Sequence, residues 1–149
     1  MASRTEGDAL RLDLARALTL LDRPLSFVEE GAAQAGTHTL DPARALRDIG
    51  DVVLARKGEV VAAYFMASAV DDAFQNVTHV VRGEDLFDFT PIQVILLALL
   101  ELPQPIYHHH GLIRDAAGKR LAKRDDAKAI SRFRAEGVTP AELRAMVGL

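Results

Sequence analysis

From Ile92 to Leu102 the sequence is apolar almost all round a helix, and such a helix has to be buried on every side. The pair Thr90-Pro91 predicts its start, because Thr caps helices and Pro suits the first helical position. The runs Val77–Val81 and Ile106–Ile113 lie on either side of this helix, and both favour strands. The sequence therefore predicts two strands joined by a buried crossover helix, as in a parallel sheet.

The rest of the chain also alternates between strand and helix patterns. Alternation favours a strand over Leu10–Leu14, whereas helical spacing favours a helix over Leu14–Leu21, and periodicity leaves both open. Further strands are predicted at Leu25–Val28 and Asp51–Arg56, and further helices at Asp41–Leu46, Tyr64–Phe74, Ala127–Ala135 and from Thr139, where Glu142 completes a capping box. We expect an α/β fold that ends in a short helical tail.

Composition excludes several classes of protein. With 149 residues and 49% apolar composition, the chain can bury an ordinary core. It has no cysteine, which excludes disulfides and thiolate metal sites. The longest apolar stretch, Val94–Leu100, is too short to span a bilayer, and no signal-peptide pattern begins the chain. We expect a cytoplasmic protein with no membrane partner.

Charge is distributed unevenly along the chain. Residues 1–110 hold nine Lys and Arg against sixteen Asp and Glu, whereas residues 111–149 hold nine against five. The tail is therefore +4 and the body −7. A basic segment on an acidic body suits a local polyanion site better than a surface that coats nucleic acid, although a solvated helix face is an alternative.

The sharpest concentration of charge is the segment Gly118–Arg124, which places four cations in six residues between a predicted strand and a predicted helix. Fixed cations in a loop can stabilise the charge that builds on a triphosphate as pyrophosphate leaves. A solvated turn remains the alternative.

Arg82 stands at the end of a predicted strand, where its guanidinium can clamp a carboxylate. A structural salt bridge is an equal alternative; its candidate partners are Asp71, Asp72, Glu84 and Asp85. Tyr64 can offer its hydroxyl to the same ligand, although a tyrosine in an apolar run also suits the core. In the run His108–His110 only the outer two residues share a strand face, so we expect no metal site.

Several segments together resemble the class I glutamyl-tRNA synthetase family, in its order and spacing. The matching segments are Ala63-Tyr64, Val70–Asp72, Val77–Leu86, Tyr107, His109 and Gly118–Arg124. The resemblance implies the second half of a Rossmann-like catalytic domain, incomplete here. It divides the chain into a connecting segment over 1–50, a half-domain over 51–124 with the family's KMSKS-like loop at 120–124, and C-terminal helices over 125–149.

The resemblance also implies roles for particular residues. Tyr64 and Arg82 would contact L-glutamate, while Lys123 and Arg120 would act in catalysis on ATP, with Mg as counter-ion. The residues implied to bind ATP are Lys123, Arg120, Leu121, Ala122 and Arg124. Two positions depart from the family pattern: Arg120 replaces the first lysine of the signature, and Ala122 replaces its serine. Ala122 therefore offers no hydroxyl for hydrogen bonding.

Within the family, the chain is most similar to the branch that attaches glutamate to queuosine in tRNA(Asp), since it ends where a full glutamyl-tRNA synthetase continues into an anticodon-binding domain. The family's HIGH-type signature and its cysteine zinc site belong upstream and have no counterpart here. We therefore expect a ligase fragment that is inactive without an N-terminal half. The alternatives are a non-catalytic remnant that binds nucleotide or tRNA, and a fragment of glutamyl-tRNA synthetase.

Overall fold

The computed structural model of the chain describes residues 8–58, 61–114, 117–118, 120 and 129–148. Its contacts divide the chain into two compact units, the first ending at His110 and the second beginning at Gly111. Among the described residues, no helix is both long and apolar enough to cross a membrane.

The first unit mixes strands and helices. Its strands are β1 (Leu10–Leu12), β2 (Ser26–Glu29), β3 (Gly36–Thr39), β4 (Val52–Ala55), β5 (His79–Gly83) and β6 (Ile106–His110). Its helices are α1 (Leu14–Thr19), α2 (Pro42–Asp48), α3 (Tyr64–Phe74) and α4 (Thr90–Leu99), and a 3-10 helix spans Glu84–Phe89.

Four strands form the main sheet, in the order β3-β2-β6-β5. β6 runs parallel to both β2 and β5, while β3 pairs antiparallel with β2. β1 and β4 form a separate antiparallel pair. The predicted parallel sheet with a crossover helix is confirmed, because α4 connects the parallel neighbours β5 and β6. Residues before position 50 also contribute to this sheet, through β2 and β3.

α4 is the centre of the core. Its residues from Ile92 to Leu97 are all buried, which confirms the predicted burial over this part. The helix ends at Leu99, and Leu100 is 41% exposed, so the prediction is wrong for the end of the run Ile92–Leu102. Ile92 packs with Ala69 of α3, and Ile95 packs with Leu14 of α1. Val94 contacts the third apolar cluster, formed with Phe27 of β2 and Tyr107 of β6. Each such aliphatic side chain stabilises the fold by about 1.5–3 kcal/mol relative to exposure.

Most predicted elements are present, with shifts at their ends. Tyr64–Phe74 is a helix as predicted, and Asp41 caps α2 by accepting hydrogen bonds from the amides of Ala43 and Arg44. The ambiguous segment at Leu10–Leu21 contains both a strand and a helix, because the two patterns follow one another. The strand predicted over Ile106–Ile113 ends at His110.

The prediction that Thr90 caps α4 is wrong. The N-cap is Phe89, Thr90 is the first helical residue, and its hydroxyl is used elsewhere. The reason is the 3-10 helix Glu84–Phe89, which carries the chain into α4 without a break. Its sequence contains no Pro or Gly to mark it, and a 3-10 turn at a helix N-terminus has no strong sequence signal.

The described part of the second unit contains α5 (Ile130–Ala135) and α6 (Pro140–Met146). The predicted capping box is confirmed, since Thr139 accepts from the Glu142 amide and the Glu142 carboxylate accepts from the Thr139 amide. Residues 127 and 128 of the predicted helix Ala127–Ala135 lie outside the described residues. Residue 124, at the predicted end of the half-domain, also lies outside the described residues. The predicted domain boundaries at positions 50 and 124 stay predictions.

The main sheet is packed on one face only within the described part of the first unit. Phe27, Tyr107 and Arg82 point towards α4 and are buried. On the opposite face, Val81 is 65% exposed and Val28 is 42% exposed. Since parallel sheets are normally covered on both faces, this open face is unusual.

Candidate functional site

The candidate site lies where the buried face of the sheet carries polar residues instead of apolar ones. Strand pairing places Arg82 of β5 directly opposite His109 of β6. Side chains alternate along a strand, so both residues share the face of Tyr107, and Glu29 joins them from β2. Arg82 is next to last in β5, and ligands of open α/β sheets gather beyond such carboxyl ends.

Arg82 is buried and held by three neighbours. Its Nε donates to His109 Nε2 at 2.9 Å, and its Nη2 donates to Thr90 Oγ1 at 2.9 Å. Its Nη1 donates to Gln93 Oε1. All three acceptors are side chains without a negative charge, so Arg82 is held by neutral groups and not by any carboxylate of the predicted salt bridge.

His109 is held in turn by Glu29. The His109 ring shares a hydrogen bond between its Nδ1 and Glu29 Oε2 at 2.6 Å, while its backbone N–H donates to Glu29 Oε1 at 2.7 Å. The Gly31 amide donates to the same oxygen at 2.7 Å. A Cβ atom at Gly31 would overlap the His109 carbonyl oxygen, so this approach requires a glycine.

The carboxylate of Glu29 has no exposed side-chain surface. Burial alone would raise its pKa, but the hydrogen bonds from the His109 amide, the His109 ring and the Gly31 amide outweigh it, and the pKa is lowered. Glu29 is therefore a buried anion at one end of a chain of side chains whose other end is the Arg82 cation.

The polar network extends into α4 and α3. Gln93, buried on α4, accepts from Arg82 and donates through its Nε2 to Ser68 Oγ at 2.7 Å. Thr90, also buried, accepts from Arg82 through the hydroxyl that the sequence suggested as a helix cap. Arg82 is thus fixed by two strands and the start of one helix.

The hydroxyl of Tyr107 is the exception in this network. The side chain is fully buried, and the hydroxyl has no hydrogen-bond partner among the described residues. Burial raises its pKa to about 12; the Arg82 charge opposes this rise, and Asp72 and Tyr64 add to it. The Arg82 guanidinium carbon lies 5.4 Å from the centre of the Tyr107 ring. The pKa of this one buried hydroxyl therefore depends on three neighbours, namely Arg82, Asp72 and Tyr64.

Tyr64 and Asp72 differ in exposure. Tyr64 begins α3 and is 51% exposed, so the alternative of a tyrosine buried in the core is wrong. Asp72 is half-buried, and burial raises its pKa, with the Asp71 charge adding to the rise and the Arg82 charge opposing it. Arg82 and Tyr64, predicted to bind one ligand, have opposite effects on the pKa of Tyr107, which the Arg82 charge lowers and Tyr64 raises.

A separate cavity of about 380 Å³ lies in the first unit. It is lined by residues of β3, α2 and the 3-10 helix, among them His38, Arg44 and Phe87. None of Arg82, His109 or Glu29 lines it. The polar network around Arg82 is therefore distinct from this cavity.

The comparison with known families decides the family. A model of the class I tRNA synthetases for glutamate and glutamine (E and Q), catalytic domain, matches residues 43–149. The chain belongs to this family. The matched range begins within α2 and includes β5, α4, β6 and the second unit.

Three relatives give the scale of the similarity within the synthetase family. The glutamyl-Q tRNA(Asp) synthetase of Rhodobacter capsulatus is 54% identical over 140 residues, which are 94% of this chain and 48% of that protein. The enzyme of the same name from Nocardia farcinica is 44% identical over 66% of this chain and 32% of its own length. Glutamate–tRNA ligase 2 of Alkalilimnicola ehrlichii is 43% identical over 62% of this chain and 19% of its own length.

A solved structure supports the fold assignment. The glutamate tRNA ligase of Elizabethkingia meningosepticum, in complex with its amino acid, matches with a TM-score of 0.54 and 28% identity. The match covers 70% of this chain and 20% of that one. The predicted α/β class I synthetase fold is confirmed, and the chain spans about half the length of the R. capsulatus relative and less of the others.

The other predicted residues of the synthetase lie in the second unit. Arg120 is half-buried and forms an isolated antiparallel bridge with Arg114, whose Nη1 donates to the Gly118 carbonyl oxygen at 3.1 Å. The remaining predicted ATP-binding residues lie outside the described residues; they are Leu121, Ala122, Lys123 and Arg124.

The histidine run follows the strand alternation that the sequence predicts. His109 is buried, whereas His108 and His110 point to the opposite face of the sheet. Over the described ranges, no group of three or more potential metal ligands is found.

Sequence reasoning missed Gln93 and Thr90, which hold Arg82, and Glu29, which holds His109. The available signal was their register. Glu29 follows the apolar Phe27 by two residues, so both share one strand face, and a carboxylate on the core side requires a partner. Gln93 interrupts an otherwise apolar helix in the same way.

Proposed function

We propose that this chain is the part of a glutamate-activating ligase that recognises the amino acid and acts on the phosphates of ATP. The whole protein would attach glutamate to queuosine in tRNA(Asp). The observation that carries the proposal is Arg82, a buried cation near the end of a parallel strand that is held in place by neutral groups. Its guanidinium carbon lies 5.4 Å from the centre of the Tyr107 ring, whose hydroxyl has no hydrogen-bond partner among the described residues. A buried cation of this kind suits an anionic ligand.

Glutamate is the proposed ligand of Arg82 and Tyr64. A guanidinium carries five N–H groups, and three of those on Arg82 are used by His109, Gln93 and Thr90. One N–H remains on each terminal nitrogen, which is the arrangement that binds a carboxylate with two hydrogen bonds. Arg82 is only 8% exposed, so a carboxylate there would be attracted more strongly than in water.

ATP with Mg is the proposed second substrate. Lys123 and Arg120 would stabilise the charge that develops as pyrophosphate leaves, with Leu121, Ala122 and Arg124 completing the loop. Arg120 keeps a positive charge where the family has lysine, and Ala122 lacks the serine hydroxyl. We therefore assign the main electrostatic role to Lys123.

Queuosine in tRNA(Asp) is the proposed acceptor. The support is the relative from R. capsulatus, whose name specifies tRNA(Asp) and which is 54% identical over 94% of this chain. The other relatives reported above, of either name, match over shorter parts, which are 66% for that of N. farcinica and 62% for that of A. ehrlichii. With ATP and tRNA as substrates, the reaction would take place in the cytoplasm.

Activity is proposed to require an N-terminal half in addition to this chain. The chain spans 48% of the R. capsulatus relative. The remainder would supply the adenine pocket and the other partners of glutamate, and it could be joined to this chain or separate from it.

Glutamate-dependent exchange of pyrophosphate into ATP tests these proposals. The chain would be assayed alone and after fusion to the N-terminal half of the R. capsulatus relative. We expect exchange with the fusion and none with the chain alone. Exchange by the chain alone would show that the requirement for a second half is wrong, and a fusion that is inactive with glutamate but active with another amino acid would refute the substrate.

The role of Lys123 is tested in the same fusion. Lys123→Ala should lower the rate of exchange by about a hundredfold or more, as loss of one group that stabilises transition-state charge does elsewhere. The matched control is Lys128→Ala, which removes a lysine five positions further along the chain, outside the segment Gly118–Arg124. Equal rates of exchange for Lys123→Ala and Lys128→Ala would refute the role assigned to Lys123.

The acceptor is tested by transfer of labelled glutamate. We expect transfer to tRNA(Asp) that carries queuosine and none to the unmodified tRNA(Asp). Transfer to the 3′ end of tRNA(Glu) would favour a fragment of a glutamate–tRNA ligase instead.

A further inference from the structure

We propose that His109 is a positioning residue for Arg82, and that the Glu29 carboxylate fixes the ring in the one tautomer that can do this. The inference rests on the proposed function, because the guanidinium it positions is the group assigned to glutamate. It assigns a role to Glu29, which lies before the residues that the family model matches, since these begin at position 43.

The tautomer follows from the chemistry of the partners. Arginine has only donors, so His109 Nε2 has to accept the hydrogen bond from Arg82 Nε and carries no proton. In a neutral imidazole the proton is then on Nδ1, which donates it to Glu29 Oε2 at 2.6 Å. The other tautomer would place an N–H against the Arg82 N–H.

A carboxylate is the only side chain that satisfies this site at position 29. Oε1 receives two N–H groups, those of His109 and Gly31, and Oε2 receives the ring proton. Glutamine has the same shape but a single oxygen. Whichever way its amide is turned, its NH2 group faces a donor, either the ring Nδ1–H or the two backbone N–H groups.

The consequence for Arg82 is a fixed direction of the guanidinium plane. His109 holds Nε, while Gln93 and Thr90 hold one N–H of each terminal nitrogen. With three separate acceptors around it, the plane cannot rotate without breaking hydrogen bonds. The remaining N–H group on each terminal nitrogen is thereby held in a fixed direction before any ligand binds, which reduces the entropy lost on binding.

Nuclear magnetic resonance of the whole chain tests the tautomer directly. In a 15N–1H correlation spectrum of the histidine ring, we expect His109 Nδ1 to be protonated and Nε2 to be unprotonated at neutral pH. A protonated Nε2 in the wild-type chain would overturn the proposal. In Glu29→Gln we expect the proton to leave Nδ1 or to exchange between the two nitrogens.

Kinetics of glutamate-dependent exchange, in the fusion with the N-terminal half, test the consequence. Glu29→Gln should raise the KM for glutamate by about tenfold, the effect of one misplaced hydrogen bond to a charged group, and change kcat much less. The double variant Glu29→Gln with His109→Gln should recover part of this loss, because a glutamine oxygen can accept from Arg82 Nε without any tautomer.

The outcomes separate this inference from the proposed function. An unchanged KM in Glu29→Gln, or a double variant that is worse than the single one, would overturn the positioning role. Thermal melts of each variant identify a general loss of folding, and if Glu29→Gln does not fold, the ring tautomer of the wild-type chain decides. If the wild-type fusion shows no exchange with glutamate, the proposed function fails. The ring tautomer of His109 then still tests whether Glu29 and His109 hold Arg82 as proposed.

Discussion

The hydroxyl of Tyr107 can be removed with little cost to folding. It is fully buried without a described hydrogen-bond partner, so it carries a desolvation cost with no compensating bond. We expect Tyr107→Phe to leave the free energy of unfolding of the chain unchanged or to raise it by about 1 kcal/mol, measured by urea denaturation. A loss of stability greater than about 1 kcal/mol would mean that the hydroxyl has a partner, such as an ordered water.

Glu29 should make the stability of the chain depend on acid pH. Its pKa in the folded state lies below the ordinary value of 4.5, so its contribution is fully present above pH 4.5 and is lost as the pH falls through the folded-state pKa. We expect the stability of the wild-type chain to fall more steeply than that of Glu29→Gln below pH 4.5. The other carboxyl groups contribute equally to the stability of both proteins, so their effects cancel in this comparison. Parallel pH profiles would contradict the lowered pKa of Glu29.

Individual site residues differ in how far the sequence reveals them. Arg82 could be predicted, because a lone cation at the end of a β-branched strand is visible locally. The partner of Glu29 could not, since His109 is 80 positions away and only the parallel pairing of β2 with β6 brings them together. The local sequence predicts Thr90 as a helix cap, because its role as an acceptor depends on Arg82, which donates to it only in the folded chain.

At the scale of elements, α4 should carry more of the stability of the first unit than its length suggests. Ile95 is fully buried between α1 and α2, in contact with Leu14 and Ala45. We expect Ile95→Ala to lower the free energy of unfolding by about 2–5 kcal/mol, measured by chemical denaturation. The matched control is Leu20→Ala, at a site that is 68% exposed, where a change within about 0.5 kcal/mol is expected. A similar loss in both variants would contradict the central role of α4.

Elements with a strong local pattern were predictable, and those defined by their neighbours were not. The helix Tyr64–Phe74 and the capping box at Thr139 follow from residue types within one or two turns. By contrast, β3 contains Gly36 and pairs antiparallel at the edge of the sheet, where no hydrophobic alternation is required. The ends of β6 also depend on pairing, because the strand stops at His110, opposite Gly83, where its partner β5 stops.

At the scale of the whole molecule, the open face of the main sheet and the edge strand β5 have a shared consequence. β5 is the last strand of the sheet, with β6 on one side and no described strand on the other. Val81 of β5 and Val28 of β2 are exposed on the face opposite α4. An unpaired edge beside exposed apolar residues promotes association with another chain.

We therefore expect the chain to self-associate when it is prepared without further protein, with a sedimentation coefficient that rises with concentration. Val81→Lys should weaken this association, since a lysine there places a charge on the open face and on the edge strand. Its side chain is 65% exposed, so the melting temperature of the monomer should change little. Leu20→Lys alters a residue that is 68% exposed outside the sheet and should leave association unchanged.

Fusion to the N-terminal half should abolish self-association if that half covers the same surface. A wild-type chain that sediments as a monomer at every concentration would show that the open face is not adhesive by itself.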